Sequence, residues 1–233
     1  MPHILALGDS WAAMGSSHLQ AYLGPSYKVV VRAKLGVGAC DTANSTSFGV
    51  ASFLERAPPP GAIVWLSLGA NDIHMERRQR TVLFDPAAER ARECLTKVVR
   101  TLLEYDPPPL RIIQFGYDLL CLNDRSKQGY RTSDECPDAA NATCFNHRMW
   151  RLSHEVLAPV AARSVPARRH RFYDLLGTLQ ADAGIAGARP GEPRLDVFTP
   201  ESYFVVDCTH PTPKGFRVLF EELNRRGAFS VAL

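Results

Sequence analysis

The chain has 233 residues, 45% of them hydrophobic and 22% charged, with a formal net charge of +3. That length suits one domain with a single sizeable core, spanning residues 1–233. So small a charge gives no footing for a nucleic-acid partner, and no apolar run reaches the ~20 residues that a membrane-spanning helix needs.

Apolar runs rich in β-branched residues recur at 4–7, 28–31, 63–68, 111–115 and 171–174. Their hydrophobicity is nearly continuous rather than alternating, as in strands of a parallel sheet covered on both faces. Between the third and fourth runs, Ala91, Cys94, Leu95, Val98, Val99, Leu102 and Leu103 form one helical stripe, with Asp85 as a cap and Pro86 in the first turn. A second helix is expected from about Cys144 to Ala162, with Phe145, Met149, Leu152, Val156 and Val160 on its inner face. In a third, Thr212 is the N-cap, Pro213 the first residue and Gly227 the C-terminal glycine, with Phe216, Leu219, Phe220 and Leu223 pointing inward. Strands alternating with helices predict an α/β fold with right-handed crossovers. Two excursions, 118–143 and 178–202, follow strands on the side where parallel sheets bind ligands. The first is polar and is expected to shape the leaving-group side of a site. Arginines gather at Arg77, Arg78 and Arg80, and at Arg163, Arg168, Arg169 and Arg171. No aromatic residues interleave with them, so they read as solvated surface.

The six cysteines set few constraints by count alone. Cys136 and Cys144 bracket a short polar loop that a disulfide could staple. Cys94 lies on an apolar stripe, where a buried free thiol is expected. Cys40, Cys121 and Cys208 fall after strands or beside the motifs described next, so that one pair among them could bond. Asn44-Ser45-Thr46 and Asn141-Ala142-Thr143 match the glycosylation acceptor pattern. The apolar start at 4–7 is too short for a signal peptide. It suits a cytoplasmic protein or one relieved of a leader, and the cysteines and acceptor sites tilt the expectation towards secretion.

Ser10 closes Gly8-Asp9-Ser10, directly after the first strand and at the start of a helix. Its hydroxyl therefore stands at the functional edge of the sheet, among helix N-terminal N–H groups. A serine needs a base to become a nucleophile. His210, held out of helical geometry by Pro211, is the candidate, and Asp207 three residues earlier can fix its tautomer and stabilise the imidazolium. Acyl transfer also needs donors aimed at an oxyanion. Asn71 in Gly69-Ala70-Asn71-Asp72 offers its side-chain amide and Ser10 its backbone N–H. The loop Leu35-Gly36-Val37-Gly38 offers a third donor, Gly38 first and Gly36 in reserve. Asp9 and Asp72 read as local scaffolding, and Trp11 as either a pocket wall or core packing. The remaining histidines show no ligand spacing, so no metal and no cofactor is expected.

Taken together, Gly8-Asp9-Ser10, Gly69-Ala70-Asn71-Asp72 and Asp207-Cys208-Thr209-His210 resemble, in order, the motifs of the SGNH hydrolases, the GDSL-type esterases and lipases. Their span covers nearly the whole chain, although the glycine block is a loose match. The resemblance implies a three-layer, flavodoxin-like α/β/α sandwich on a five-stranded parallel sheet, a covalent acyl-enzyme and no metal. The Gly-x-Ser-x-Gly elbow of other α/β hydrolases is absent. The expected function is hydrolysis of a small-molecule carboxylic ester, first of all one with a small acyl group such as acetyl on a sugar or another alcohol. A lysophospholipase or thioesterase of the same family is the alternative, and a catalytically silent ligand-binding protein the alternative of another class. The sequence sets no oligomeric state, and a monomer is compatible with it.

Overall fold

The computed structural model describes residues 1–47, 49–55, 59–74, 84–106, 111–122 and 141–230. Its centre is a five-stranded parallel sheet: β1 (His3–Gly8), β2 (Lys28–Ala33), β3 (Ile63–Ser67), β4 (Arg111–Phe115) and β5 (His170–Tyr173), in the order β2-β1-β3-β4-β5. The three inner strands are buried almost throughout, whereas the edge strands β2 and β5 are partly exposed. The hydrophobic runs of the sequence thus became strands within one or two residues at each end.

The helices, in chain order, are α1 (Ser10–Leu23), α2 (Ala39–Asn44), α3 (Val50–Glu55), α4 (Ala70–His74), α5 (Phe84–Glu104), α6 (Ala142–Arg151), α7 (Ala158–Ala162), α8 (Thr178–Asp182) and α9 (Pro213–Arg225). α1 packs against α9, while α5 packs against α2, α3 and the segment joining α6 to α7. The chain is an α/β sandwich with the flavodoxin-like strand order. On the α9 side, Trp65 and Phe115 stack on each other and both meet Phe220 edge-on. α9 is built as its sequence dictates. Thr212 accepts the Gly215 N–H at 3.2 Å, Pro213 opens the helix, and Gly227 closes it at φ 72°.

Three expectations need correction. α5 begins at Phe84, so Asp85 lies inside its first turn and pairs with Arg151 rather than preceding the helix. The single helix expected from Cys144 to Ala162 is interrupted by a π-helical segment, Leu152–Leu157. Pro159 has no N–H to give to the carbonyl four residues back, and that Glu155 carbonyl accepts from Arg92 Nε of α5 instead, at 3.0 Å. α6 also starts earlier than expected, at Ala142, because Asn141 caps it by accepting from the Cys144 N–H. Finally, Cys94 is not a free thiol. α2 lies across α5 so that Cys40 and Cys94 sit with Cα atoms 4.8 Å apart, joined as a disulfide. A second disulfide joins Cys121 to Cys208. Cys144 is disulfide-bonded as well.

Arg163, Arg168 and Arg171 are exposed and Arg169 partly so. Cys136, Arg77, Arg78, Arg80 and most of the 118–143 excursion lie outside the described residues. No helix among the described residues is long and apolar enough to cross a membrane.

At the foot of the sheet His170 is buried between Ser164 Oγ and Gln114 Oε1, each 2.8 Å from one ring nitrogen. Burial disfavours the imidazolium and lowers the His170 pKa from 6.5 to about 4. The unfolded chain therefore binds a proton in this range that the folded chain refuses. The stability contribution is complete above pH 6.5 and is lost as pH falls towards 4. At ~1.4 kcal/mol per pH unit the loss is ~3 kcal/mol. The buried carboxylates of Asp9 and Asp118 are shifted upward and act with the opposite sign. The test is therefore a difference: urea unfolding at pH 7 and pH 4.5 should show His170→Gln less acid-sensitive than wild type by about 2–3 kcal/mol.

Candidate active site

Ser10, Asn71 and the glycine loop come together because β1, β3 and β2 are neighbours and all end on the same edge. The strand order reverses between β1 and β3, the switch point where open α/β sheets bind ligands. Gly8 makes the turn into Ser10 possible: at φ 152° it passes so close to the Ser67 carbonyl that a Cβ would collide with it. The chain then hydrogen-bonds across, Asp9 N–H to Ser67 O at 2.9 Å. Asp9 caps α1 by accepting the Trp11 N–H at 3.0 Å. Ser10 is left as the first residue of the helix, where a backbone N–H has no intrahelical partner.

His210 Nε2 stands 2.7 Å from Ser10 Oγ, and His210 Nδ1 stands 2.6 Å from Asp207 Oδ2. The other carboxylate oxygen, Oδ1, accepts the Thr209 and His210 N–H groups at 2.9 and 3.0 Å. Asp207 therefore caps the very turn that carries its histidine. Burial opposes its ionisation, but the hydrogen bonds from the His210 ring and from the two N–H groups outweigh burial and lower its pKa. Cys208, at φ 57°, bends the chain between Asp207 and His210. Its disulfide to Cys121 and the Cys121 N–H to Cys208 O bond fasten this turn to the segment after β4. From the other side Trp11 Nε1 donates to the Thr209 carbonyl at 3.1 Å. Trp11 is 1% exposed, so it packs and holds the turn rather than lining an open pocket.

Asn71 lies in the first turn of α4 and donates one amide hydrogen to the Val37 carbonyl at 2.8 Å, which leaves the second for another acceptor. Gly38 precedes α2, where the Asp72 carboxylate occupies the place a Cβ would take. Asp72 accepts from Ala39 N–H at 2.6 Å and Cys40 N–H at 3.2 Å, so it scaffolds the glycine loop as expected. The Gly38 N–H itself donates to Asp41 Oδ2 at 2.9 Å. It can serve an oxyanion only by sharing or leaving that partner. Gly36, at φ 73°, is exposed.

Two further residues emerge only in three dimensions. Tyr117, two residues past β4, donates its phenol to Asp9 Oδ2 and accepts the Ala70 N–H at 3.3 Å. Asp118, fully buried, accepts the Leu119, Gly177 and Leu179 N–H groups at 2.6–2.7 Å and ties the start of the first excursion to the loop after β5. Desolvation raises its pKa to about 7, against those three bonds. The sequence signal for both is slight: polar residues at the carboxyl end of a strand.

No family model and no curated protein matches the chain. Solved structures do. A carbohydrate acetylesterase family member from Sinorhizobium meliloti aligns over 100% of both chains at 18% identity and a TM-score of 0.54. A carbohydrate esterase family 3 structure from Talaromyces cellulolyticus aligns over 99% of this chain and 98% of its own, at 14% and 0.57. An acetylxylan esterase from Geobacillus stearothermophilus aligns over 100% and 96%, at 15% and 0.55. Structures of that enzyme described as catalytic mutants alter a serine, an aspartate and a histidine three residues beyond the aspartate. Asp207 and His210 are likewise three residues apart. The chain thus shares the fold of these esterases, the same α/β/α sandwich that its motif resemblance to the SGNH hydrolases implies.

Proposed function

We propose that residues 1–233 form one catalytic domain, a serine ester hydrolase of the SGNH type acting on a small-molecule ester. The observation that carries this reading is the row Asp207–His210–Ser10, hydrogen-bonded at 2.6 and 2.7 Å, with its serine at a helix N-terminus. Ser10 Oγ attacks the acyl carbon while His210 Nε2 takes its proton, and Asp207 stabilises the resulting imidazolium. The carbonyl oxygen becomes an oxyanion that accepts from the Ser10 N–H and the second amide hydrogen of Asn71, with the Gly38 N–H a third donor when Asp41 yields it. The tetrahedral intermediate collapses, and the leaving alcohol departs with the proton from His210. Water, deprotonated by the same histidine, then attacks the acyl-enzyme and releases the carboxylic acid.

The acyl group is small, acetyl first, carried on a sugar or another alcohol. Support comes from the neighbours in fold, described as carbohydrate acetylesterase and acetylxylan esterase. The disulfides Cys40–Cys94 and Cys121–Cys208 favour an oxidising, extracellular compartment.

Nitrophenyl esters of graded chain length, given to wild type and Ser10→Ala prepared alike, test the reading. Wild type should hydrolyse the acetate fastest, and Ser10→Ala should fall to background. Rates rising steadily with chain length would replace the acetyl preference by a lysophospholipase-like one. No hydrolysis by wild type on any ester, with no phosphonate label on Ser10, would leave a ligand-binding protein.

A further inference from the structure

We propose that Tyr117 is a positioning residue of the reaction: acting through Asp9, it locks the loop that carries Asn71 to the turn that carries Ser10. The proposal rests on the serine-esterase reading. Nucleophile and oxyanion donor come from different strands, β1 and β3, whose ends are joined by the Asp9 N–H to Ser67 O bond, short of Ala70 and Asn71. Tyr117 lies two residues past a third strand, β4, and bonds the residues before Ser10 and Asn71. Its phenol oxygen accepts the N–H of Ala70, the residue before Asn71, and its proton goes to Asp9, the residue before Ser10. The second Asp9 oxygen accepts from Trp11 N–H at 3.0 Å and Ser67 Oγ at 3.3 Å. The Tyr117 ring also meets Trp11 edge-on at 5.2 Å, and the Trp11 indole holds Thr209, the residue before His210. One run of buried polar contacts therefore passes behind all three proposed reacting groups.

Tyr117 and Asp9 are 3% and 1% exposed, so water cannot replace either partner. Burial pushes the phenol well above its ordinary range and the Asp9 carboxyl up to about 6. At neutral pH the tyrosine is therefore the donor and the aspartate the acceptor. Removing the phenol oxygen takes the partner of the half-buried Ala70 N–H and leaves one Asp9 oxygen unpaired in the interior, while the ring and its packing stay. A tyrosine that merely fills the core would tolerate this in turnover. A lock would not, because displacement of an oxyanion donor by a fraction of an ångström is felt in the transition state and not in substrate binding.

The test uses Tyr117→Phe, Asp9→Asn and the double variant of the full chain, with kcat and KM on nitrophenyl acetate, inhibition by phenylboronic acid, and thermal unfolding. Tyr117→Phe, cooperatively folded, should lose on the order of 10–100-fold in kcat with KM within about twofold. Phenylboronic acid, which forms a tetrahedral adduct on the serine, should weaken in parallel. Asp9→Asn should act alike, and the double variant no worse than the more damaging single one. A folded Tyr117→Phe within about threefold of wild type in kcat would overturn the lock. So would a loss confined to KM, or boronate affinity unchanged while kcat falls. If Tyr117→Phe does not fold, Asp9→Asn decides by the same criteria. Wild-type activity that Ser10→Ala abolishes keeps the serine-esterase reading whatever Tyr117 does. Its absence would sink that reading and this proposal with it.

Discussion

Ser10→Ala, His210→Ala and the double variant should all fall to one floor, on the order of 10⁴–10⁶ below wild type in kcat, with KM for nitrophenyl acetate little changed. The reason is that neither group has a task without the other. The histidine ring faces Ser10 Oγ at 2.7 Å, and the hydroxyl is a poor nucleophile unless that ring takes its proton. Removing one therefore removes the pathway, and removing the second adds nothing. Asp207→Ala should sit above this floor, by about tenfold to a hundredfold, because the imidazole still reaches the serine when its stabilising charge is gone. Yet Asp207 does two jobs. Its Oδ1 holds the Thr209 and His210 N–H groups, so the variant should also lose stability by ~1–3 kcal/mol, a cost that Ser10→Ala does not share. Ester turnover and thermal unfolding of the four variants decide the matter. A double variant whose loss is the product of the two single losses would show that Ser10 and His210 act independently, and the triad would be wrong.

The parts of this molecule that were legible in the sequence are those fixed by local rules. β3 and β4 announced themselves because both faces are covered, so Ile63 to Leu66 are all apolar and Ile112, Ile113 and Phe115 dominate β4. The final helix was legible because Thr212, Pro213 and Gly227 each have a local reason for their place. Ser10 and His210 could be paired across two hundred residues because one follows a strand and the other sits in a turn that Pro211 keeps open. What stayed hidden depends on partners distant in sequence. Nothing around Tyr117 distinguishes it among seven tyrosines, since its function lies in two groups delivered by other strands. The π-helical segment needs Arg92 of α5 to take the carbonyl that Pro159 cannot serve. The inward stripe placed Cys94 on the buried face of its helix but could not say that Cys40 would lie above it. The engaged Gly38 N–H is a different case. Asp41, three residues on, is where a capping carboxylate belongs, so that signal was local and present.

The two fully described disulfides should separate stability from activity. Cys40–Cys94 spans 54 residues and Cys121–Cys208 spans 87. On chain entropy alone each restrains the unfolded state by about 4–5 kcal/mol, since the dependence on loop length is logarithmic. Cys40→Ala/Cys94→Ala and Cys121→Ala/Cys208→Ala should accordingly lose comparable stability. Their places in the fold differ. Cys40 and Cys94 clamp α2 to α5, behind the glycine loop, where Asp72 already holds the Ala39 and Cys40 N–H groups. Cys208 lies inside the four-residue turn that carries Asp207 and His210, with its backbone in the left-handed region. Without its sulfur partner, that turn loses its covalent tie to the segment after β4, although the Asp207 cap, the Trp11 indole bond and the backbone bonds of residues 205, 208 and 210 stay. The Cys121/Cys208 variant, assayed well below its melting temperature, should lose about tenfold or more in kcat, because the Nε2–Oγ contact must be held within a few tenths of an ångström. The Cys40/Cys94 variant should stay within about threefold under the same conditions. Equal activity losses would mean that the disulfides act only through the folded fraction. A loss confined to the Cys40/Cys94 variant would move the sensitive element from the Asp207–His210 turn to the glycine loop.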